Sequence, residues 1–213
     1  QWTQQVGTST VDDGHAVTTD SSDNIYITGR TWGGLDGSNK PNVCKNVTST
    51  AREVCSDIFL VKYGSDGEKQ WTKQIVASSR EIAYGVAVDS LGNIYLTGYT
   101  SGTLEGINSG ANDIFLIKYS SDGTLQFQEQ FGSSGDDSGL GIRVDSKDNV
   151  YLTGYTEGGL DGNTNSGKQD IFLAKYNSSG FKLWTKQLGT PLYDSANGLA
   201  LDSSDNIYVT GYT

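Results

Sequence analysis

The stretch Asn24-Ile-Tyr-Ile-Thr-Gly29 decides the fold, because close copies of it occur three more times along the chain. These copies are Asn93-Ile-Tyr-Leu-Thr-Gly98, Asn149-Val-Tyr-Leu-Thr-Gly154 and Asn206-Ile-Tyr-Val-Thr-Gly211. Each copy follows a turn that begins at an aspartate, and the four aspartates are Asp20, Asp89, Asp145 and Asp202. Successive aspartates are 69, 56 and 57 residues apart. Self-similarity at such a period indicates a repeat architecture.

Each repeat contains four segments that have the composition of short β-strands. In the first repeat these segments are residues 15–19, 24–29, 58–63 and 71–75. Asp66-Gly67 lies between the third and fourth segments, and such a pair favours a tight hairpin. Four antiparallel strands in a unit of about 55 residues are typical of one blade of a β-propeller. The sequence therefore predicts an all-β fold, a β-propeller of four-stranded antiparallel blades with about four blades present.

Two further recurring positions fit this architecture. The second position of the first strand is always small, and its four residues are Ala16, Gly85, Gly141 and Gly198. We expect this strand to be innermost, where blades crowd around a central axis. An aromatic residue opens each fourth strand, and these residues are Trp2, Trp71, Phe127 and Trp184. We expect them to pack between blades, and counting residues 2–6 as a fourth strand predicts 15 strands in all.

Several phrases of the chain closely resemble the SBBP-type β-propeller repeat, a family whose name suggests seven blades. The phrases include Gly85-Val-Ala-Val-Asp89, Asn93-Ile-Tyr-Leu-Thr-Gly-Tyr-Thr100, Asp113-Ile-Phe-Leu-Ile-Lys-Tyr119 and Trp184-Thr-Lys-Gln-Leu-Gly189. The resemblance covers essentially the whole chain outside the first long loop. It implies a secreted or surface-exposed bacterial propeller, often within a multidomain protein. The family carries no shared catalytic residues, so the resemblance implies no catalytic site.

The predicted organisation is a single β-propeller domain, or a fragment of one, over residues 1–213. Its approximate units are residues 1–7 (partial), 8–76, 77–132, 133–189 and 190–213 (partial), with an insertion at 38–56. The chain begins at a predicted fourth strand and stops after a predicted second strand. We therefore expect it to be part of a larger propeller, whose neighbouring blades would cover its open edges.

The charge and the apolar pattern disfavour two classes of partner. The formal net charge is −10, which would repel a nucleic acid. No apolar run approaches the ~20 residues that a membrane-spanning helix needs, so we expect no membrane insertion.

Both cysteines of the chain, Cys44 and Cys55, lie in the insertion. Two thiols are too few for a structural zinc site, so the sequence favours a local disulfide. Closing this loop would contribute about 3 kcal/mol in the chain-entropy model. A disulfide also points to an oxidising compartment.

The loops between the second and third strands supply the first candidate sites. They carry the acidic residues Asp36, Glu105 and Asp161, which either cap backbone N–H groups or bind a cation or polar ligand. Asp161, Asn163 and Asn165 have the alternating oxygen ligands of a calcium loop, although that loop's glycine and final glutamate are missing. Trp32 has Ser101 and Glu157 as counterparts, so it is either a contact residue or a cover for the base of the insertion.

A second acidic set recurs eight residues before each turn aspartate, and its members are Asp12, Glu81, Asp137 and Asp194. Recurrence favours a structural role in every blade, such as bonding to backbone donors or to Lys62, Lys118 and Lys175. The functional alternative is an acidic rim around the mouth of a central channel. His15, the sole histidine, has no second histidine or nearby cysteine to act with.

The leading functional hypothesis is a non-enzymatic extracellular or cell-surface propeller that serves as a scaffold and protein-interaction module. Its partners would be proteins, surface glycans or neighbouring domains of the same protein. The first alternative is a carbohydrate- or calcium-binding propeller, and the second is part of a secreted polysaccharide-active enzyme. No cofactor is expected, apart from calcium under the first alternative.

Overall fold

The computed structural model describes residues 2–35, 55–77 and 79–213, and within them it contains 14 β-strands and no helix. The first sheet consists of β1 (Asp12–Thr19), β2 (Ile25–Thr31), β3 (Asp57–Tyr63) and β4 (Lys69–Ile75). The second consists of β5 (Glu81–Val88), β6 (Ile94–Thr100), β7 (Asp113–Tyr119) and β8 (Leu125–Phe131). The third consists of β9 (Asp137–Val144), β10 (Val150–Thr156), β11 (Asp170–Tyr176) and β12 (Lys182–Leu188). The fourth consists of β13 (Ser195–Leu201) and β14 (Ile207–Tyr212).

In each sheet the strands follow one another in chain order, and every neighbouring pair is antiparallel. The first strand of each sheet contacts the first strand of the next, in the order β1, β5, β9 and β13. The sheets are therefore blades arranged as an arc around a common axis. The all-β class and the four-stranded antiparallel blades are confirmed.

The strand count and the starts of the inner strands differ from the sequence prediction. Residues 2–6 do not form a strand. In the described part of the chain, no third strand lies beside them as a hydrogen-bonding partner. The inner strands begin three residues earlier than predicted, at Asp12, Glu81 and Asp137. A β-bulge interrupts each of these strands. The bulge breaks the alternation of side chains, so the sequence pattern does not predict a strand for the residues before it.

The bulge explains the glycine of the repeated Asn-Ile-Tyr-Ile-Thr-Gly stretch. Gly29 pairs with Gly14 directly before the bulge of β1. A Cβ atom on Gly29 would lie 1.9 Å from the carbonyl oxygen of Asp13, and one on Gly98 would lie 1.9 Å from that of Ile82. No side chain fits at such a distance, so glycine is required at this position.

The remaining polar residues of the stretch tie each second strand to its surroundings. In the second blade the Asn93 side-chain amide donates to Asp89 Oδ2 at 2.8 Å, and the Tyr95 hydroxyl donates to the same oxygen at 3.1 Å. The Thr97 hydroxyl donates to the carbonyl of Phe115 on the third strand at 2.9 Å. The stretch is therefore structural, since each of its polar groups is bonded within the blade.

The core lies between the blades. The third strands β3 and β7 are almost fully buried, and Ile58, Leu60, Ile114 and Leu116 have no exposed surface, whereas β11 alternates between buried and partly exposed residues. Burial on both faces, predicted from the continuous apolar sequence of the third strands, is therefore confirmed for β3 and β7 and only in part for β11.

The recurring aromatic residues pack across the blade boundaries, as predicted. The ring of Trp71 lies against Gly123, and the ring of Phe127 lies against Gly180 of the third blade. These glycines have φ values of +81° and +88° in the turns between third and fourth strands. They supply both a left-handed turn and a flat surface for the aromatic ring.

Candidate binding site at the propeller axis

Each innermost strand carries one bulged residue that has no partner on the second strand. The four bulged residues, one per blade, are His15, Tyr84, Leu140 and Asn197. A bulge re-aims the side chain that it carries and is common beside functional sites. The four side chains differ in chemistry, and other positions of these strands also vary from blade to blade.

These strands surround a cavity of about 210 Å³ on the axis. The bulged residues Tyr84, Leu140 and Asn197 line it, together with Arg143. The small residues Ala16, Gly85, Gly141 and Gly198 also line it, which confirms that their size matches the crowding of the inner strands. A Cβ atom on Gly85 would lie 2.9 Å from Ile142 Cγ2 of the next blade, so the blades could not approach as closely with a larger residue.

Aromatic and cationic side chains meet at the axis, and we refer to His15, Arg30, Arg80, Tyr84 and Tyr99 as the axial cluster. The ring centroid of Tyr84 lies 5.1 Å from that of His15 and 6.0 Å from that of Tyr99. The guanidinium carbon of Arg80 lies 5.7 Å from the centroid of the Tyr99 ring, a cation–π distance. The cluster joins the first blade to the second.

The charges of the cluster affect its titrating groups. Burial and the nearby Arg30 guanidinium lower the pKa of His15, against a smaller opposing effect of Asp13. Burial raises the pKa of Tyr99, and the charge of Arg80 opposes that shift. The imidazole is thus disposed to stay neutral, while the arginines supply the positive charge.

The described residues contain three arginines, of which Arg30 and Arg80 belong to the axial cluster and Arg143 lines the cavity. Arg30 Nε lies 2.8 Å from Asp13 Oδ2, so its charge is partly neutralised. In the described part of the chain, neither Arg80 nor Arg143 forms an ion pair with a carboxylate. The Nε of Arg80 is buried without a hydrogen-bond partner there. Arg80, over Tyr99, and Arg143, in the cavity wall, are therefore cations without a carboxylate partner among the described residues.

Trp32 lies beside this cluster. Its backbone N–H donates to the carbonyl of Val11 at 3.1 Å, and the Arg30 guanidinium carbon lies 5.7 Å from its ring. Ser101 and Glu157 make the equivalent backbone bonds in their blades, which supports the alignment that singled out Trp32. The ring is partly buried. Asp36 and most of the insertion lie outside the described residues, so the choice between contact and cover stays open.

Asp161 lies over the outermost strand of its blade, on the opposite side from the axis. Lys182 Nζ lies 2.9 Å from Asp161 Oδ2, and the Thr185 hydroxyl donates to the same oxygen at 2.6 Å. Although burial opposes the shift, these bonds hold the pKa of Asp161 below its usual range. The carboxylate thus bonds side chains rather than the backbone N–H groups that we expected. Glu105, its counterpart, is exposed.

The Lys182 ammonium group lies beside Asp161, at the place where the hypothesis puts a calcium ion. Lys182 neutralises Asp161, and Asn163 donates its amide to the carbonyl of Leu160 at 2.8 Å. Asn165 Oδ1 accepts from the Gly167 N–H at 2.7 Å. The described residues hold no cluster of three or more His, Cys, Asp or Glu that could bind a metal ion. Calcium binding here stays a prediction.

The second acidic set has the structural role that its recurrence indicated. Asp137 Oδ2 accepts from the Ser133 N–H at 2.6 Å, and Asp194 Oδ2 accepts from the Thr190 N–H at 2.7 Å. Glu81, Asp137 and Asp194 are at most 1% exposed, so the alternative of an acidic rim is wrong. Burial raises the pKa of Glu81 to about 7, against the opposing bonds from Ser79 and Thr100.

The expected pairing of this set with the lysines is also wrong. Lys118 Nζ lies 3.8 Å from Asp89 Oδ2, and Lys175 Nζ lies 3.6 Å from Asp145 Oδ2. Lys62 Nζ donates to the carbonyl of Ser121 in the next blade at 3.2 Å. The reason is the antiparallel topology, which brings the end of the third strand beside the end of the first strand and away from its start.

The predicted disulfide involves Cys44, which lies outside the described residues. Cys55 is described and partly buried just before β3. The bridge therefore stays a prediction.

Four-stranded blades around an axis that is lined by variable bulged residues define a β-propeller module. The model of the SBBP family, described as a beta-propeller repeat, matches residues 1–36, 70–104, 127–161 and 183–213. The chain belongs to this family of β-propeller repeats.

Two known proteins are similar to the chain over part of their length. An uncharacterized WD repeat-containing protein of Acanthamoeba polyphaga mimivirus is 26% identical over 99% of the chain, which spans 18% of that protein. The regulatory protein FlaEY of Caulobacter vibrioides is 28% identical over 70% of the chain, which corresponds to 17% of that protein. The chain therefore spans less than a fifth of either relative.

Solved structures with similar coordinates include two described as gluconolactonases. One is from Xanthomonas campestris and matches 93% of this chain and 54% of its own, with 14% identity and a TM-score of 0.47. The other, a putative gluconolactonase, matches 94% of this chain and 56% of its own, also with 14% identity and a TM-score of 0.47.

The described residues include no helix of the length and apolar character that crossing a membrane requires.

Proposed function

We propose that this propeller is a non-enzymatic interaction module that binds its partner at the axial cluster and the neighbouring Trp32. The single observation that carries the proposal is the variation of the bulged residues. His15, Tyr84, Leu140 and Asn197 occupy one structural position in four blades, yet no two are alike. A β-bulge re-aims the side chain that it carries, and here the bulge recurs in all four inner strands while the residue on it changes.

The partly exposed aromatic surface also supports a binding role. Tyr84 and Trp32 are partly buried, and the Arg30 guanidinium lies over the Trp32 ring. Tyr, Trp and Arg are the residues most enriched at the energetic centres of interfaces. Propellers of the WD-repeat kind, which one relative's name mentions, belong to the same architecture.

The perturbed carboxyl groups support the non-enzymatic part of the proposal. A buried acid with a raised pKa is ordinarily a candidate for acid–base catalysis. Glu81 and Asp137, whose pKa values burial raises, bond to hydroxyl or backbone groups at the starts of their strands. Each has a counterpart in every blade, so fold maintenance accounts for both.

The proposed location is outside the cell or on its surface. It rests on the family resemblance and on the two cysteines of the insertion, because a disulfide persists in an oxidising compartment.

A binding comparison would test the proposed function. The chain, a Trp32→Ala/Tyr84→Ala variant and a Lys186→Ala control on the outer strand β12 would each be immobilised. They would be exposed to a surface extract of the native host and to a glycan array. We expect specific retention by the chain and the control, and a loss of at least tenfold in the double variant. Equal retention by all three, with all three folded by circular dichroism, would refute the axial site.

A further inference from the structure

We propose that the open edge of the fourth blade binds the third strand of a further repeat, through a Phe-x-x-Lys pattern that the three complete blades share. In the described part of the chain, β14 is the outer strand of its sheet and has no third strand beside it. The inference concerns this edge and the cleft next to it, so it is independent of the function proposed for the axis.

The side chains of β14 are exposed where those of the other second strands are buried. Tyr208 is 57% exposed and Tyr212 is 51% exposed, whereas their counterparts Tyr95 and Tyr99 are 0% and 7% exposed. A strand that presents unpaired N–H and C=O groups along one side is a template for pairing with another strand. The edge of β14 is therefore a surface that a strand can extend by main-chain hydrogen bonds.

A cleft of about 300 Å³ lies between the third blade and β14, and its walls include Leu188 at the end of β12 and Gly211 on β14. Between the second and third blades the counterparts of these two residues are Phe131 and Gly154. There Phe172 of the third strand is the partner of Gly154 and has no exposed surface. Its ring centroid lies 6.3 Å from that of Phe131. A phenylalanine opposite Gly211 would therefore enter the cleft.

The lysine three residues after this phenylalanine has its own place on the second strand. Lys175 Nζ lies 4.8 Å from the centroid of the Tyr151 ring and 3.6 Å from Asp145 Oδ2. The second blade repeats both contacts, at 5.0 and 3.8 Å. In the fourth blade the counterparts of the tyrosine and the aspartate are Tyr208 and Asp202, and Asp202 forms no ion pair within the described residues. A lysine on an added strand would supply the missing cation.

The spacing of the two contacts fixes one register. In the third blade the phenylalanine and the lysine of β11 pair with the glycine and the tyrosine of β10, which are three residues apart. Gly211 and Tyr208 have the same separation on β14. In that register the Thr210 hydroxyl would donate to the carbonyl of the added phenylalanine, as the Thr153 hydroxyl donates to that of Phe172 at 2.6 Å.

These contacts favour a third strand over the edge of a second copy of the chain. The three third strands all carry the pattern, at residues 59–62, 115–118 and 172–175. The strand β14 contains neither phenylalanine nor lysine. Two copies paired through β14 would therefore leave the cleft empty and Asp202 without a cation.

The first experiment titrates the chain with a synthetic peptide of residues 168–176, which contains the third strand of the third blade. Variant peptides carry Phe172→Ala or Lys175→Gln, and a scrambled peptide has the same composition. By calorimetry we expect the parent peptide to bind, with an affinity that falls roughly tenfold or more for Phe172→Ala and roughly threefold for Lys175→Gln. No binding of the parent peptide at about 1 mM, or equal binding of the scrambled peptide, would refute the docking site.

The second experiment uses two matched variants of the chain. Leu188→Gln and Leu183→Gln each replace an exposed leucine of β12, but only Leu188 lines the cleft. Because both side chains are exposed, we expect neither change to alter the midpoint of thermal unfolding. Leu188→Gln should lower the affinity for the parent peptide roughly fivefold, and Leu183→Gln less than about twofold. Equal losses in the two variants would show that the peptide does not enter the cleft and would overturn the proposal.

Chemical-shift changes would locate the bound peptide, and sedimentation velocity would detect a second copy at the same edge. We expect the largest changes at residues 207–212 and a monomeric chain without peptide. Largest changes at the axial cluster would place the peptide there and refute the edge site. A chain that dimerises through β14, and that the peptide fails to dissociate, would show that a second copy covers the edge and would overturn the assignment.

Discussion

The hydroxyl of Ser146 donates to Asp205 Oδ2 at 2.6 Å, and its backbone N–H donates to Asp205 Oδ1 at 3.0 Å, so a turn of the third blade holds a turn of the fourth. Ser90 bonds to Asp148 in the same way, at 2.9 and 2.8 Å, between the second and third blades. The aspartates have φ values of 61°, and this left-handed conformation directs their carboxylates at the preceding blade. Such contacts fix the blades relative to one another beyond their apolar packing.

The boundary between the first and second blades lacks this contact, and a substitution is expected to create it. Ser21 is the counterpart of Ser146, but Gly92, with φ +80°, stands where the aspartate would be. We expect Gly92→Asp to have a free energy of unfolding about 0.5–1 kcal/mol above that of Gly92→Ala, which carries the left-handed backbone cost without the new hydrogen bonds. Urea unfolding would measure it. The gain should vanish in Gly92→Asp/Ser21→Ala, and a gain that survives there would contradict the explanation.

The packing of aromatic rings on turn glycines predicts a difference between two substitutions with the same backbone cost. Gly180 and Gly162 have φ values of +88° and +82°, but a Cβ atom would lie 2.9 Å from Phe127 Cζ only at Gly180. Nothing lies within 4 Å of a Cβ atom at Gly162. We expect Gly162→Ala to cost about 1–2 kcal/mol for the left-handed conformation, and Gly180→Ala about 1–3 kcal/mol more. Equal losses in thermal unfolding would show that the ring contact contributes nothing.

Glu81 makes stability depend on pH between its two pKa values. Burial, with the charge of Asp57, raises its pKa from 4.5 to about 7 in the folded chain. Below pH 4.5 the Glu81 carboxyl is protonated in both the folded and the unfolded chain, so its ionisation does not lower the stability. As the pH rises towards 7 the unfolded state ionises first, so stability falls by on the order of 3 kcal/mol and then stays constant.

Glu81→Gln should therefore remove that fall and stabilise the chain at pH 7.5, as measured by urea unfolding across pH 4–8. Glu105→Gln changes an exposed carboxylate and is the matched control, which should leave the profile unchanged. A Glu81→Gln profile that still declines over this range would assign the effect to other groups.

Two ion pairs of the third blade should differ in their contribution to stability. Asp145 is 3% exposed in its side chain and pairs with Lys175, whereas Asp161 is 43% exposed and pairs with Lys182. We expect Asp145→Ala to cost about 3–5 kcal/mol, because it leaves the lysine and several donors without an acceptor. Asp161→Ala should cost less than about 1 kcal/mol. Comparable losses in chemical denaturation would contradict this ranking.

The lowered pKa of Asp145 predicts that stability depends on pH in the opposite direction to the effect of Glu81. Although burial opposes it, bonds from Asn149, Lys147 and Tyr151 lower the pKa of Asp145. Its stabilisation is therefore present above the unfolded value near 3.9 and is lost as the pH falls through the lower folded value. The difference in stability between the chain and Asp145→Ala should shrink below pH 4, and a constant difference would contradict it.

The predicted bridge between Cys44 and Cys55 has a direct test. A thiol assay on the unfolded, unreduced chain should find no reactive group, and reduction should lower the free energy of unfolding by about 3 kcal/mol. Two reactive thiols before reduction would refute the bridge and remove one support for an extracellular location.

The sequence predicted the blades because their determinants are local. Strand composition, Asp-Gly turns and the repeat period are visible in one repeat unit and its copies. The same regularity indicated that Glu81 and Asp137 have a structural role. The site was less predictable. Of the residues at the axis, only His15 stands out in the sequence, and nothing in the pattern distinguishes Tyr84, Arg80 and Arg143 from the segments around them.

By itself the sequence determined the blade and its order of strands, since each blade closes through hydrogen bonds between neighbouring strands. The repeated Asn-Ile-Tyr-Ile-Thr-Gly stretch is the clearest case, because the structure assigns each of its polar groups and its glycine a bond or a contact within one blade. Only the tertiary structure decided which variable residues meet. His15 and Tyr84 are 69 residues apart in the chain, yet their rings lie 5.1 Å apart. That contact depends on the bulges and on the angle between blades, which no single repeat encodes.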